Sequence, residues 1–211
     1  MRLRSGGAAS ADPAMLTLAD RILDAAREIC FEAGAEGVSA RKIASIVGCT
    51  APAIYRHFKG IDHVLHALRM EGHHLLGLTL AAQAHSSLGP RRLSLMQRAY
   101  FTFGNQHPRY FGLMFPARLS EELDLQFSKE ELQSLLLVVD EAERCISEKT
   151  IRTDLDAVRV ANYVWLSVHG LTAMSVAGHL STTAPGLAEE LLSQIVESTS
   201  VWLQGPTGEG A

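Results

Sequence analysis

From Thr17 to Trp202 apolar residues recur three and four apart, and no stretch alternates apolar with polar residues for long enough to form a strand. The spacing predicts an all-α chain of about nine helices. Local start and stop signals place them. Thr17 with Asp20 has the form of a capping box, after which Leu18, Ile22, Ala25, Ala26 and Ile29 fall on one face and Gly34 ends the helix. Ser39 is positioned to cap a short second helix carrying Ile43, Ala44 and Val47, which Gly48 stops by supplying a positive φ. Thr50 caps a third, with Pro52 in its first turn, where a missing N–H costs little. Beyond Lys59-Gly60 a longer helix runs toward Ser86. The stretch SSLGPRR separates it from a fifth over Arg91 to Gln106, and Pro108 imposes a kink after that. Ser128 with Glu131, and Thr153 with Asp156, mark two later starts. Pro185-Gly186 opens the last helix, with Leu187, Leu191, Ile195 and Trp202 at helical spacing.

A chain of 211 residues that is 47% apolar can bury a sizeable core. Its net charge of −4 does not suit a nucleic-acid polycation, so any basic surface must be local. Three cysteines, Cys30, Cys49 and Cys145, with no C-x-x-C spacing argue against a disulfide framework or a structural zinc site and favour a reducing cytoplasm. Two early arginines in MRLRSGGAASADPAML are followed by no apolar run, so this stretch reads as a disordered tail rather than a signal peptide. The run Val160 to Gly178 lacks Asp, Glu, Lys and Arg. Asn162, Ser167, His169, Thr172 and Ser175 within it would each need a partner in hydrocarbon, so it reads as a helix buried in protein and no membrane association is expected.

The segment VSARKIASIVGCTAPAIYRHFKGIDHVL, Val38 to Leu65, joins two short helices through a Gly-containing turn, the pattern of a helix-turn-helix whose second helix enters the DNA major groove. From Val38 to Arg69 the cations Arg41, Lys42, Arg56, Lys59 and Arg69 face one acid, Asp62. Such a patch docks phosphates, and Thr50, Tyr55 and His57 add hydrogen-bonding groups. A solvated basic face on an ordinary helical hairpin has the same charge, and residue order is what separates the two. Ser39, Ile43-Ala44, Gly48, Thr50, Tyr55-x-His57-Phe58 and Lys59 resemble the N-terminal signature of TetR-type transcriptional regulators. The resemblance implies a double-stranded DNA operator contacted by Ser39, Arg41, Lys42, Thr50, Ala51, Pro52, Tyr55, Arg56, His57 and Lys59. Ala51-Pro52-Ala53 is small and apolar, suited to thymine methyl groups, which leaves Arg41 and Arg56 to read guanine. Ile61 stands where the family usually carries a second lysine, so that phosphate contact passes to Lys59 or to backbone N–H groups at the start of the fourth helix.

The sequences YFTFGNQHPRYFGLMFPARL from Tyr100 and WLSVHGL from Trp165 resemble the sensor domain of the TetR subgroup named for its Trp-His-Gly helix, here Trp165, His169 and Gly170. Trp165 and His169 lie four apart on one face. The resemblance implies a pocket bordered by Phe103, His107, Tyr110, Phe111, Met114, Trp165 and His169, although the same residues also suit plain core. The scarcity of charge there points to a small apolar or amphipathic organic ligand. The expected organisation is a disordered tail at 1–15, a helix-turn-helix DNA-binding domain at 16–66, a ligand-sensing and dimerisation domain at 67–204 and a flexible tail at 205–211. The whole reads as a DNA-binding repressor released by ligand, homodimeric through its last two helices. It needs no cofactor, metal or catalytic residue. The alternatives are a small all-helical enzyme or metal protein using His107, His169 or the set His63, His66 and His73, and a ligand-binding or scaffold protein whose DNA function has lapsed.

Overall fold

A computed structural model describes residues 16–84, 89, 91–115, 129–180 and 184–205. The expected N-terminal tail, most of the C-terminal one and the Ser128–Glu131 capping box lie outside the described residues or side chains. Among the described residues the protein is all-helical, with nine α-helices, one 3-10 turn and no strand. Contacts divide it into two compact units, one ending at Leu68 and the other beginning at Arg69.

The first unit holds α1 (Leu18–Ala33), the 3-10 turn Ala35–Gly37, α2 (Ala40–Val47) and α3 (Ala51–Tyr55). The α1 capping box is formed in both directions: Thr17 N–H donates to Asp20 Oδ2 at 2.9 Å, and Asp20 N–H donates to Thr17 Oγ1 at 3.2 Å. Ile22, Ala25, Ala26, Ile29 and Cys30 of α1, Ile43, Ala44 and Val47 of α2, and Ala53 and Ile54 of α3 are buried, with α2 packed against both α1 and α3. Gly48 adopts the left-handed conformation, φ 72°, and its N–H donates to Ala44 O. Arg21 of α1 donates to the Val47 carbonyl, one of the carbonyls left open where α2 stops, and so ties the two helices together.

Thr50 occupies the cap position of α3, but its side chain accepts no capping hydrogen bond. The residue order explains this. A cap serves the second or third N–H of a helix; Pro52 has none, and Ala53 N–H bonds the Thr50 carbonyl instead, at 2.9 Å.

Helix α4 (Ile61–Ala84) contributes to both units. The second unit continues with α5 (Arg91–Gln106), α6 (Pro108–Met114), α7 (Lys129–Ser147), α8 (Ala157–Val176) and α9 (Leu187–Gln204). Helix α8, charge-free from Val160 onward, is its centre, packed by α5, α7 and α9. Its cap is Asp156, whose carboxylate accepts from Arg159 N–H at 2.9 Å, and not Thr153. Either residue type caps a helix, and Thr153 lies in the turn that precedes it. Gly104 of α5 approaches α8 so closely that a Cβ there would stand 2.3 Å from Thr172 Cγ2. At His107 the chain leaves helical geometry, φ −124° and ψ 54°, as the residue before Pro108 must, and α6 starts afresh.

Two features depart from the sequence reading or lie beyond it. In α9 the buried residues are Leu192, Val196, Thr199 and Leu203, while Leu187, Leu191, Ile195 and Trp202 are only half-buried. The two sets differ by about one residue, roughly 100° of rotation, and neighbouring helices cover the first. Arg92 and Glu141 form a buried ion pair between α5 and α7, with Glu148 on Arg92 at 3.2 Å and Arg144 near Glu141 at 3.7 Å. None of Cys30, Cys49 and Cys145 forms a disulfide. No described helix is long and apolar enough to cross a membrane.

Candidate functional site

The residues expected to touch DNA gather in the first unit on the segments around α2 and α3. Arg41, Lys42, Thr50, Pro52, Tyr55, Arg56, His57 and Lys59 are exposed, and Ser39 and Ala51 are half-buried. Tyr55 is 54% exposed, unusual for an aromatic that the core could have used. The inward residues Ile43, Ala44, Val47, Ala53 and Ile54 hold the two helices together, so each outward side chain is carried on a packed support. Two members of the set have local partners. The Ser39 hydroxyl accepts from Lys42 N–H at 3.4 Å as the α2 cap, and Lys42 Nζ donates to the Gly37 carbonyl at 2.8 Å. Arg56 and His57 lie in the turn that closes α3, where His57 and Phe58 N–H groups both bond the Ile54 carbonyl. Ile61 opens α4, its first-turn N–H groups lying beyond the helix's own hydrogen-bonding reach.

In the second unit α4, α5, α7 and α8 border a partly open, mainly apolar hollow lined by Leu80, Met96, Gln97, Tyr100, Ser134, Leu135, Val138, Val164, Trp165 and Val168. It leaves about 20 Å³ for the centres of water-sized molecules, room for one or two waters. Trp165 is the residue it shares with the expected pocket wall. The others fall beside it. Phe103, Tyr110, Phe111 and Met114 are buried core, Met114 seating its side chain against Gly72 of α4. His107 is exposed and borders Phe103 and Tyr110, with ring centroids 5.0 and 6.4 Å away.

His169 is half-buried within an aromatic ring of Phe115, Phe111, Trp165 and Tyr100, at 4.8, 5.5, 5.7 and 6.1 Å between centroids. Its Nδ1 lies 2.7 Å from Tyr100 Oη. Burial lowers the pKa of His169 and raises that of Tyr100. Both shifts favour neutral partners, so the Tyr100 hydroxyl donates to an unprotonated Nδ1. Tyr100 also lines the hollow and therefore connects it to the His169 cluster.

Sequence reasoning missed Gln97, Tyr100 and Ser134 as cavity residues. For Gln97 there was a signal: it interrupts the buried stripe Leu93, Gln97, Tyr100, Gly104 on α5, and an amide in such a stripe needs a reason. His63 and His66 are half-buried and His73 is buried; among the described residues no three His, Cys, Asp or Glu come together as metal ligands.

Residues 93–199, just over half of the chain, match the family profile described as tetracyclin repressor-like, C-terminal domain, and residues 22–68 match that of bacterial regulatory proteins, tetR family. No curated protein sequence matches. Among solved structures, a protein of unknown function from Rhodococcus sp. RHA1 is 22% identical, with a TM-score of 0.75 over 92% of this chain and 100% of that one. The fatty acid degradation regulator FadR from Bacillus halodurans is 18% identical, with a TM-score of 0.66 over 91% and 97%. FadR from Bacillus subtilis, in complex with stearoyl-CoA, is 17% identical, with a TM-score of 0.60 over 83% and 96%. At these identities the structures attest the fold, whereas the two profiles attest the lineage and point to transcriptional regulation rather than catalysis. The chain belongs to the TetR family of transcriptional regulators.

Proposed function

We propose that the protein is a cytoplasmic, homodimeric repressor that leaves a pseudo-palindromic operator when a small uncharged organic molecule enters the α4–α5–α7–α8 cavity. The observation that carries this reading is the pairing, in one chain, of an outward-facing α2–α3 helix-turn-helix with a second unit that keeps an apolar hollow in its core. The DNA-binding domain is assigned to 16–66 and the sensing and dimerisation domain to 67–204. Within the family we place the sensor in the Trp-His-Gly subgroup, on Trp165, His169 and Gly170.

Tyr55, His57, Lys42 and Lys59 act on phosphates, and Arg41 and Arg56 on bases. The first-turn N–H groups of α4 take the phosphate that a lysine at Ile61 would have held. Dimerisation uses α8 and α9, where Tyr163, Leu166, Met174 and Val201 leave apolar surface open on a single chain. Gly170, also exposed, lets a second helix come close. Half-sites are then about 34–36 Å apart. The stearoyl-CoA bound to the Bacillus subtilis regulator supports a fold able to house an apolar chain. Because α4 belongs to both units, a ligand that displaces its second half alters the DNA-binding unit, by no more than its differential affinity for the two arrangements.

A gel shift with DNA from immediately upstream of the protein's own coding sequence tests the reading. The expected result is a discrete complex whose affinity falls steeply with salt. Absence of any salt-sensitive complex with duplex DNA would remove the repressor assignment and leave the ligand-binding alternative.

A further inference from the structure

Helix α3 hangs from a short turn. Only Gly48, Cys49 and Thr50 separate it from Val47, the Thr50 side chain gives it no capping bond, and the helix it packs against is α2. The backbone bonds that close α2, from the Gly48 and Cys49 N–H groups, both go to the Ala44 carbonyl at 3.0 Å and leave the Val47 carbonyl to another donor. Arg21 of α1 is that donor, through Nη2. The bond sets a cation on the negative end of α2, at the last helical residue before the turn.

The acids closest to Arg21 along α1 have other partners. Asp20 accepts from Thr17 in the capping box, and Asp24 pairs with Arg27 at 2.7 Å. Arg21 is itself an exposed residue, and Ile22, Ala25, Ala26 and Ile29 form the α1 side of the core without it. Its bond therefore adds less to the core than to the point where the chain turns toward α3. That point has leverage. At about 1.5 Å per residue α3 is about 7.5 Å long, so a tilt of about 10° at the turn carries its far end by about 1.3 Å. Arg56, assigned above to bases, closes that far end. Recognition contacts tolerate displacements of only about 0.5 Å.

We propose that Arg21 is a positioning residue for DNA reading: it touches no base, and by holding the Val47 carbonyl it sets the angle at which α3 meets the groove. The proposal rests on the α2–α3 helix-turn-helix reading and adds a residue of α1 to what determines sequence preference. A guanidinium bound directly to a phosphate would strengthen binding to every duplex alike. One that aims α3 strengthens only binding to duplexes whose bases match the aimed side chains.

The native full-length protein first selects a preferred duplex from a pool of random sequences. Arg21→Met, which keeps the apolar stem and loses the donors, and Arg21→Lys, which keeps the charge and can still donate, are then compared with it on that duplex and on a scrambled one across a range of salt, and by thermal melting. For Arg21→Met the affinity for the preferred duplex is expected to fall about tenfold and that for the scrambled duplex by less than about twofold, with the salt slope and the melting temperature of the native protein. Arg21→Lys should recover most of the loss. If both duplexes weaken alike and the salt slope drops by about 0.9 for each protomer, Arg21 is a phosphate contact and the proposal is wrong. An Arg21→Met protein that fails to fold, or melts well below the native one, makes the residue structural and overturns it too. So does native affinity in Arg21→Met, or an Arg21→Lys protein no better than Arg21→Met. If the native protein selects no duplex at all, the helix-turn-helix reading itself fails and this proposal with it.

Discussion

Replacing Gly104 by alanine tests how tightly α5 and α8 are joined. The added Cβ would lie 2.3 Å from Thr172 Cγ2 and 3.1 Å from Phe111 Cδ2, well inside contact distance. Thr172 cannot easily step aside. It is fully buried, it is β-branched on a helix, and its hydroxyl donates to the Val168 carbonyl at 2.8 Å. Overpacking of this kind costs roughly 1–3 kcal/mol, and disturbing the Thr172 hydrogen bond adds about 1 kcal/mol. Alanine's better helix propensity returns about 1 kcal/mol. The expected net loss is about 2 kcal/mol, a fall in Tm of about 4–8 °C for a chain of this size. Thr172→Ser removes the colliding methyl and keeps the hydroxyl, so the double variant Gly104→Ala/Thr172→Ser should be more stable than the sum of the two single changes by about 1–2 kcal/mol. Thermal and urea unfolding of the four proteins give the cycle. A Gly104→Ala protein as stable as the parent, or a double variant that is merely additive, would refute the close α5–α8 contact.

Changing Tyr55 to Phe and His57 to Ala together should weaken binding to all duplexes about equally and flatten the dependence of affinity on salt, as removal of phosphate contacts does; a change confined to operator preference in the gel shift counts against it. Arg41→Ala should instead lose discrimination at one base position by roughly 1–3 kcal/mol, read from a panel of single-base operator variants. His169, whose pKa is depressed by burial, stabilises the fold in its neutral form, so its contribution is complete above the unfolded value of 6.5 and is lost as pH falls through the lower, folded value. Melting curves from pH 8 down to pH 5 should show that loss in the native protein and less of it in His169→Gln. Leu166, 64% exposed in the single chain, is expected to be covered in the dimer; Leu166→Glu should sediment as a folded monomer at micromolar concentration, and an unchanged dimer would move the interface off this stripe.

Where a feature is decided by residues within one turn, the sequence was enough. Thr17 needs only Asp20 to make its box, and Gly48 needs only its own lack of a Cβ to turn the chain. Where the outcome depends on a competitor, reading one residue at a time failed. Thr50 has the side chain of a cap, but the proline two places on removes an N–H it would have served. Thr153 and Asp156 are both eligible, and the boundary of α8 follows the second. In α9 two stripes one residue apart are both apolar enough to be core, and only the position of α8 and α5 decides which is buried.

The two candidate surfaces differ in the same way. Every residue of the expected DNA-contacting set comes from one stretch between Ser39 and Lys59, so its order along the chain is already its order in space. The cavity is drawn from four helices: Leu80 on α4, Gln97 and Tyr100 on α5, Ser134 and Val138 on α7, and Trp165 on α8. No spacing rule relates those positions, and an apolar residue facing a hollow reads like one facing a neighbour. What does set a lining apart is a polar group that the core has no use for. Arg92 is buried too, but Glu141 and Glu148 account for its charge and make it structural. Gln97 has three acceptors within reach of its two N–H groups, and its oxygen has no donor among the described residues. The same amide joins one wall of the hollow to α8 and α9, the two helices through which the chain is expected to dimerise.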